Sequence, residues 1–363
     1  MFGFTLDDQG TNLPLQYGPW TPFKTIELHH DEPYQGVDVS VCLDDISKYG
    51  FHLTAAHKRI TDLALRSVPL KGERALVLGG GGGAGNAWEI GVIAGLLDAG
   101  LDVTKADLIV GTSAGATAAA QVTSTPPGEL LDAILTSRPP QRSADAGPGN
   151  DRSTGAPAID HLERTSRIIT AASDAADMRR RLGAAALELD ASSDSTWSAG
   201  WRATAAARLP GVSWPEQRIL VTAVDARTGH GVAFDRHSGV DLIDAVAAST
   251  SSGYPYRIGD GLYLDGGYRR NENADLASGY RRVLVLSPFG GRTRHPLEWG
   301  MQLAAQVDEL RASGSAVETV FPDEAALAAF GDNMMNLAAR PPAARAGYEL
   351  GTAGAAQLIA FWG

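Results

Sequence analysis

The sequence predicts an α/β fold built on a mainly parallel sheet, with a small α+β appendage at its N-terminal end. Three observations carry that prediction. Short, unbroken apolar runs recur from Arg74 onward, and helix-compatible segments separate them. Strands that are apolar on both faces belong to parallel sheets covered by helices on either side. Composition also shifts near residue 70: four of the five lysines and four of the eight histidines lie at or before Lys71, and no lysine follows Lys105.

Residues 1–70 therefore read as a separate module. Alternating stretches such as Val37–Val41 and a helix-like segment from Leu53 to Leu65 give it mixed α+β character. The pair His29-His30, with Asp31 and Glu32, carries metal-ligand chemistry, but adjacent residues of a strand cannot both face one ion and no paired spacing follows. A solvated surface cluster is expected there. Cys42 is the only cysteine, which excludes an intrachain disulfide and a cysteine-rich metal site.

Residues 71–363 read as one large domain. Ala75–Leu78 forms a first buried strand, Ala87–Asp98 a helix, Leu108–Val110 a second strand and Ala114–Val122 the next helix. Residues 138–158 are a polar loop rich in proline, glycine and serine, followed by helical sequence to about Ala207. An insertion of this kind between core strands makes 138–210 a candidate helical cap. Ile219–Val224, Leu262–Leu264 and Val283–Leu286 supply further strands.

Composition excludes several functions. The net charge of -11 argues against a nucleic-acid partner, since such proteins concentrate lysine and arginine. No basic start followed by an apolar stretch marks a secretory signal, and the apolar runs fall far short of the roughly 20 residues that span a bilayer. A cytoplasmic protein is expected, in at most peripheral contact with membrane.

Two glycine features carry the chemistry. Gly111-Thr112-Ser113-Ala114-Gly115 follows an apolar strand and opens a helix, so its glycines permit a sharp turn that exposes the serine hydroxyl. The dipole of the helix it opens favours negative charge on that oxygen. About thirty residues earlier, Gly79-Gly80-Gly81-Gly82-Gly83-Ala84-Gly85 follows the first strand. Gly80-x-Gly82-x-x-Gly85 matches a dinucleotide-binding spacing, but the acidic residue expected after the second strand is missing. A P-loop would need Gly-Lys-Ser/Thr, which is absent. An oxyanion hole, with backbone N–H groups facing the tetrahedral intermediate formed on Ser113, is the reading that joins both features into one site.

The serine needs a base. His230 and His237 lie in polar turn or loop text, and His295 in the stretch Gly291–Pro296, where exposure is the default; His295 alone satisfies the chain order Ser…Asp…His. Asp265 ends the strand Leu262–Leu264, and Gly266-Gly267 after it allow a tight turn. By itself, Asp-Gly-Gly reads as an ordinary β-turn.

Taken in order, the glycine loop, Gly-x-Ser-x-Gly and Asp265-Gly266-Gly267 resemble the pattern of the patatin-like phospholipases. Gly91-Val92-Ile93, Ala248-Ser249 before Tyr254-Pro255, and Asn271 agree with it. The resemblance covers about residues 73 to 287. It implies a three-layer α/β/α fold and a Ser113–Asp265 dyad without histidine, with Gly80, Gly81 and Gly82 forming the oxyanion hole. It also implies an acyl ester of a lipid or phospholipid as substrate and no metal or other cofactor. The chain departs from the family pattern twice. Ala84 stands where many members carry an arginine, and Arg270-Asn271-Glu272-Asn273-Ala274 lacks the proline often found after the aspartate. A Ser-His-Asp esterase using His295, and a non-enzymatic protein binding an acyl group or nucleotide, are the alternatives.

Overall fold

The structure, a computed structural model, describes residues 5–6, 12–13, 71–137, 156–191, 196–211 and 213–363. The chain divides into two compact units, Met1–Arg66 and Ser67–Gly363. In the first, β1 (Thr5–Leu6) and β2 (Asn12–Leu13) pair antiparallel. Val37–Val41, Leu53–Leu65, the His29-His30 pair and Cys42 lie outside the described residues.

The second unit is built on an eight-stranded sheet. In chain order its strands are β3 (Gly72–Leu78), β4 (Leu108–Gly111), β5 (Ile219–Asp225), β6 (Gly231–Phe234), β7 (Tyr256–Ile258), β8 (Gly261–Asp265), β9 (Tyr280–Leu286) and β10 (Ala316–Val320). They lie in the order β10-β9-β3-β4-β5-β8-β7, with β6 paired to β5. The five from β10 to β5 are parallel, while β6, β7 and β8 add antiparallel pairs at one side.

The residue-by-residue alternation of a strand sorts these apolar runs onto two cores. Leu76, Leu78, Ile109, Leu284 and Leu286 face one core, and Ala75, Val77, Leu108, Val110, Val283 and Val285 face the other. The first is covered by α1 (Gly82–Asp98), α2 (Ala114–Val122), α3 (Pro127–Thr136) and, from later in the chain, α7 (Leu242–Ser249), α9 (Glu324–Phe330) and α10 (Arg340–Trp362). The second is covered by α8 (Leu303–Ala312) and the short turn of helix Ala274–Ala277. A three-layer α/β/α arrangement results. The inserted helices are α4 (Ala156–Ala171), α5 (Ala175–Ala191) and α6 (Thr196–Ala206). Ile169, Met178 and Leu182 of this insertion pack on Val224, Leu262 and Leu264 in a third cluster.

Helix α1 starts at Gly82, five residues before the expected Ala87, although glycine disfavours helix. Tertiary contacts override propensity: the N–H of Ala84 donates to the carbonyl of Met334 at 2.9 Å, which satisfies a donor that the first turn leaves free. The body of α1 packs face to face with α10 through glycines. A β-carbon on Gly91 or Gly95 would overlap the backbone of Ala344 or Tyr348, and one on Gly347 or Gly351 would overlap that of Trp88 or Val92. Four missing side chains thus let two helices 250 residues apart touch backbone to backbone.

Candidate active site

Gly111 ends β4, and the chain turns at Ser113 with φ 53 and ψ -111 before α2 begins. A non-glycine residue at positive φ is strained and persists where its surroundings hold it. Here they do. The Ser113 N–H donates to Ser249 Oγ at 2.9 Å, and the N–H groups of Ala116 and Thr117 return to the Ser113 carbonyl. The flanking glycines are required by space: a β-carbon on Gly111 would stand 2.6 Å from Ala116 Cα, and one on Gly115 would overlap the Leu78 carbonyl. The Gly115 N–H donates to Gly79 O at 3.0 Å, so the serine turn and the glycine loop are directly bonded.

Sheet register brings Asp265 to the serine. Gly111 pairs with Val221 across β4 and β5, and Ala223 pairs with Asp265 across β5 and β8. Ser113 lies two residues beyond Gly111 and Ala223 two beyond Val221, which puts both side chains level at the carboxyl edge of the parallel strands. Asp265 reaches that edge against the direction of the parallel strands. β8 is antiparallel to β5, so it descends from beyond the edge and ends at the site.

The Ser113 hydroxyl donates to Asp265 Oδ2 at 2.9 Å. Ser252 Oγ donates to the same oxygen at 3.0 Å, and the Gly267 N–H donates to Oδ1 at 2.8 Å. Asp265 is 6% exposed. Burial pushes its carboxyl up to about 6, against the lowering effect of the bonds from Gly267, Ser113 and Ser252. A base of this strength is ionised near neutral pH yet binds a proton readily there.

In the glycine loop, the Gly80 N–H donates to Asn271 O at 3.0 Å. Gly80 therefore has no free donor, contrary to the expectation from sequence, because its N–H is bonded to the loop that follows Asp265. Among the described residues no acceptor is bonded to the N–H of Gly81 or Gly82. Gly82 has φ 62, a conformation open to glycine. Arg340 on α10 donates to Gly83 O at 3.2 Å and Asn86 Oδ1 at 2.9 Å. The loop that lacks an arginine at position 84 is thus held by one from the far end of the chain.

The histidines lie apart from the serine. His295 pairs through Nδ1 with Thr293 Oγ1 at 2.7 Å and stacks on Trp299. Burial, with Arg294 and Arg179 nearby, pushes it down to about 4. His230 and His237 are exposed turn residues. His161, which has no signature in the sequence, meets the segment that follows Asp265: its Nε2 pairs with Tyr268 Oη at 3.0 Å. Burial and the charges of Arg164 and Arg294 push it down to about 4. His161, Arg164, Gly253 and Tyr268 line a small cavity between α4 and the wall that carries Asp265. Ser249, which the sequence marks only as part of Ala248-Ser249, and Ser252, which it does not mark, are brought to the site by the end of α7 and the loop after it. Among the described residues no helix is long and apolar enough to cross a membrane.

The sequence model of the family described as patatin-like phospholipase matches residues 76–278, which contain the glycine loop, Ser113 and Asp265. No curated protein matches the chain. Among solved structures, VipD from Legionella pneumophila is similar at 14% sequence identity and a TM-score of 0.36, over 78% of this chain and 67% of that one. With more than half of its length matched by the family's own pattern and the expected α/β/α layers in place, the chain belongs to the patatin-like phospholipases, a family of lipid acyl hydrolases.

Proposed function

We propose that this protein hydrolyses a lipid acyl ester, with Ser113 as nucleophile and Asp265 as its general base. The observation that carries the reading is the 2.9 Å hydrogen bond from Ser113 Oγ to Asp265 Oδ2, made by a serine in a strained strand-to-helix turn. As Ser113 Oγ attacks the ester carbonyl, Asp265 takes its proton and the carbonyl oxygen becomes an oxyanion. The N–H groups of Gly81 and Gly82 receive that charge, and the N-terminus of α2 adds its dipole. Asp265 then returns the proton to the leaving alcohol, and an acyl-enzyme remains. Water repeats the sequence against the acyl-enzyme, with Asp265 again as base and then as acid.

Gly80 acts in this scheme as the anchor of the loop, through its bond to Asn271. Arg340 supports the loop from behind. Helices α4, α5 and α6 serve as a cap, since α4 meets the Asp265 wall through His161 and Tyr268. Residues 1–70 are a separate appendage.

The reading is tested with Ser113→Ala and Asp265→Asn on a short-chain aryl ester and on mixed-acyl phospholipids, with products identified by mass spectrometry. Each substitution is expected to abolish turnover in a folded protein, and a fluorophosphonate is expected to label Ser113 in the wild type. Full activity in both variants overturns the reading.

A further inference from the structure

Behind the serine and the aspartate lies a buried polar cluster that the chemistry above does not use. Its centre is Asn273, which is 0% exposed and has φ 54 and ψ 37. Asparagine tolerates this left-handed conformation, whereas proline, held near φ −65°, cannot adopt it. The absence of a proline from this stretch therefore has a structural counterpart.

The orientation of the Asn273 amide is set by charge. Its Oδ1 accepts a bond from Arg269 Nη1 at 2.7 Å, and Arg269 is itself held by Asp275 through two bonds of 3.0 and 2.5 Å. A guanidinium only donates, so the amide oxygen faces it and the NH2 group turns the other way. That nitrogen lies 2.7 Å from Arg270 O, 3.0 Å from Thr112 Oγ1, 3.2 Å from Thr222 Oγ1 and 3.2 Å from Gly266 O. Its two N–H groups are shared among these four acceptors. Thr222 Oγ1 lies 2.9 Å from Thr112 Oγ1, and Thr112 donates to Glu272 O at 3.3 Å.

Thr112 immediately precedes Ser113, and Gly266 immediately follows Asp265. One amide thus reaches the chain neighbour of each dyad member, from a side that no solvent enters. We infer that Asn273 is a positioning residue for the reaction: it ties the serine turn to the aspartate turn and so sets the distance between Ser113 Oγ and Asp265 Oδ2. The inference rests on the Ser113–Asp265 reading. Errors of about 1 Å in the placement of reacting groups cost on the order of 100-fold in rate, so a loosened tie acts on turnover more than on binding.

The test uses Asn273→Gly, which keeps the left-handed backbone without strain and deletes the whole side chain, and Asn273→Asp, which keeps the shape but removes the donors. The full-length chain is assayed on an aryl ester well below its melting temperature, together with the rate of fluorophosphonate labelling and the melting temperature itself. Both variants are expected to keep KM within about twofold and to lose about 10- to 100-fold in kcat and in labelling rate. A merely structural residue would lower the melting temperature and leave kcat of the folded protein unchanged, and that result overturns the inference. If one variant fails to fold, the other is read by the same criteria. Ser113→Ala runs alongside. An inactive Ser113→Ala with wild-type-like Asn273 variants sinks the positioning role alone, whereas an active Ser113→Ala sinks the dyad reading beneath it.

Discussion

Ser113 Oγ and Asp265 Oδ2 are hydrogen-bonded at 2.9 Å although 152 positions separate them in the chain. The contact exists because β5 lies between β4 and β8 and sets the height of both residues at one edge of the sheet. It places a hydroxyl against a carboxylate that burial has made unusually basic.

Activity is expected to follow the ionisation of Asp265. On the proposed mechanism Asp265 acts only when deprotonated, and its carboxyl is pushed up to about 6. The value of kcat/KM should therefore fall tenfold per pH unit on the acid side of about pH 6 and level off above it. A pH–rate profile with a soluble aryl ester measures this. An acid limb centred near pH 4 would mean that burial does not raise the essential carboxyl.

Stability should move the other way. The folded-state value of Asp265 lies above its unfolded value of about 3.9, so the folded protein binds more protons than the unfolded chain between those two values. This contribution is full below the unfolded value and is lost as pH rises through the folded one, a loss of about 3 kcal/mol for a shift of this size. Asp265→Asn cannot ionise, so its melting temperature relative to wild type should be more favourable at pH 8 than at pH 4.5. Calorimetry at both values checks the sign.

Glu89 is a second buried acid, on α1. It is 0% exposed, and neither carboxyl oxygen has a well-aligned hydrogen-bond partner among the described residues, since the Gly79 N–H beside it donates to Leu286 O. Burial, with the nearby Glu272 adding to it, raises its carboxyl well above the ordinary glutamate value. Like Asp265, it destabilises the fold as pH rises above that ordinary value. Glu89→Gln is expected to be more stable than wild type at pH 8, by about 1–3 kcal/mol. Urea titrations at pH 5 and pH 8 would show the gain growing with pH.

Two glycines make a matched pair for space. A β-carbon on Gly115 would overlap the Leu78 carbonyl, while one on Gly128, in the first turn of α3, meets nothing within 4 Å. Gly115→Ala should cost about 3 kcal/mol or more and pull the serine turn off the glycine loop. Gly128→Ala should leave stability unchanged or raise it by about 0.5 kcal/mol. Equal melting temperatures for the two variants would contradict the close approach at Gly115.

His295→Ala tests the triad alternative. Its ring is bonded to Thr293 and stacked on Trp299, and no hydrogen bond joins it to Ser113 or Asp265 among the described residues. Turnover should stay within about twofold of wild type, on the scale where losing a general base costs 100-fold or more.

The strands β3, β4, β5 and β9 were legible because each is a short run apolar on both faces. The serine turn and the glycine loop were legible because their glycines meet local backbone demands. Other features depended on partners far away in the chain. Gly91 and Gly95 look like helix weaknesses until Gly347 and Gly351 are seen against them. Nothing in the sequence marks Glu89 as buried, and only the burial of α1 on every side shows it. The direction of β8 was not readable either, since a three-residue apolar run looks the same in parallel and antiparallel pairing.

By itself the sequence determined the chemistry on offer: a serine in a turn that only glycines permit, a run of backbone donors before it, and an aspartate poised at a second turn. Their local spacing is enough because each turn needs particular residues within a few positions. The tertiary structure decided which groups meet and with what strength. It brought Ser113 Oγ within 2.9 Å of Asp265 Oδ2, bonded Gly80 to Asn271, and placed the Asn273 amide behind both turns. Those outcomes follow from sheet order and burial, which arise from contacts between residues far apart in the chain and leave no mark in the residues beside them.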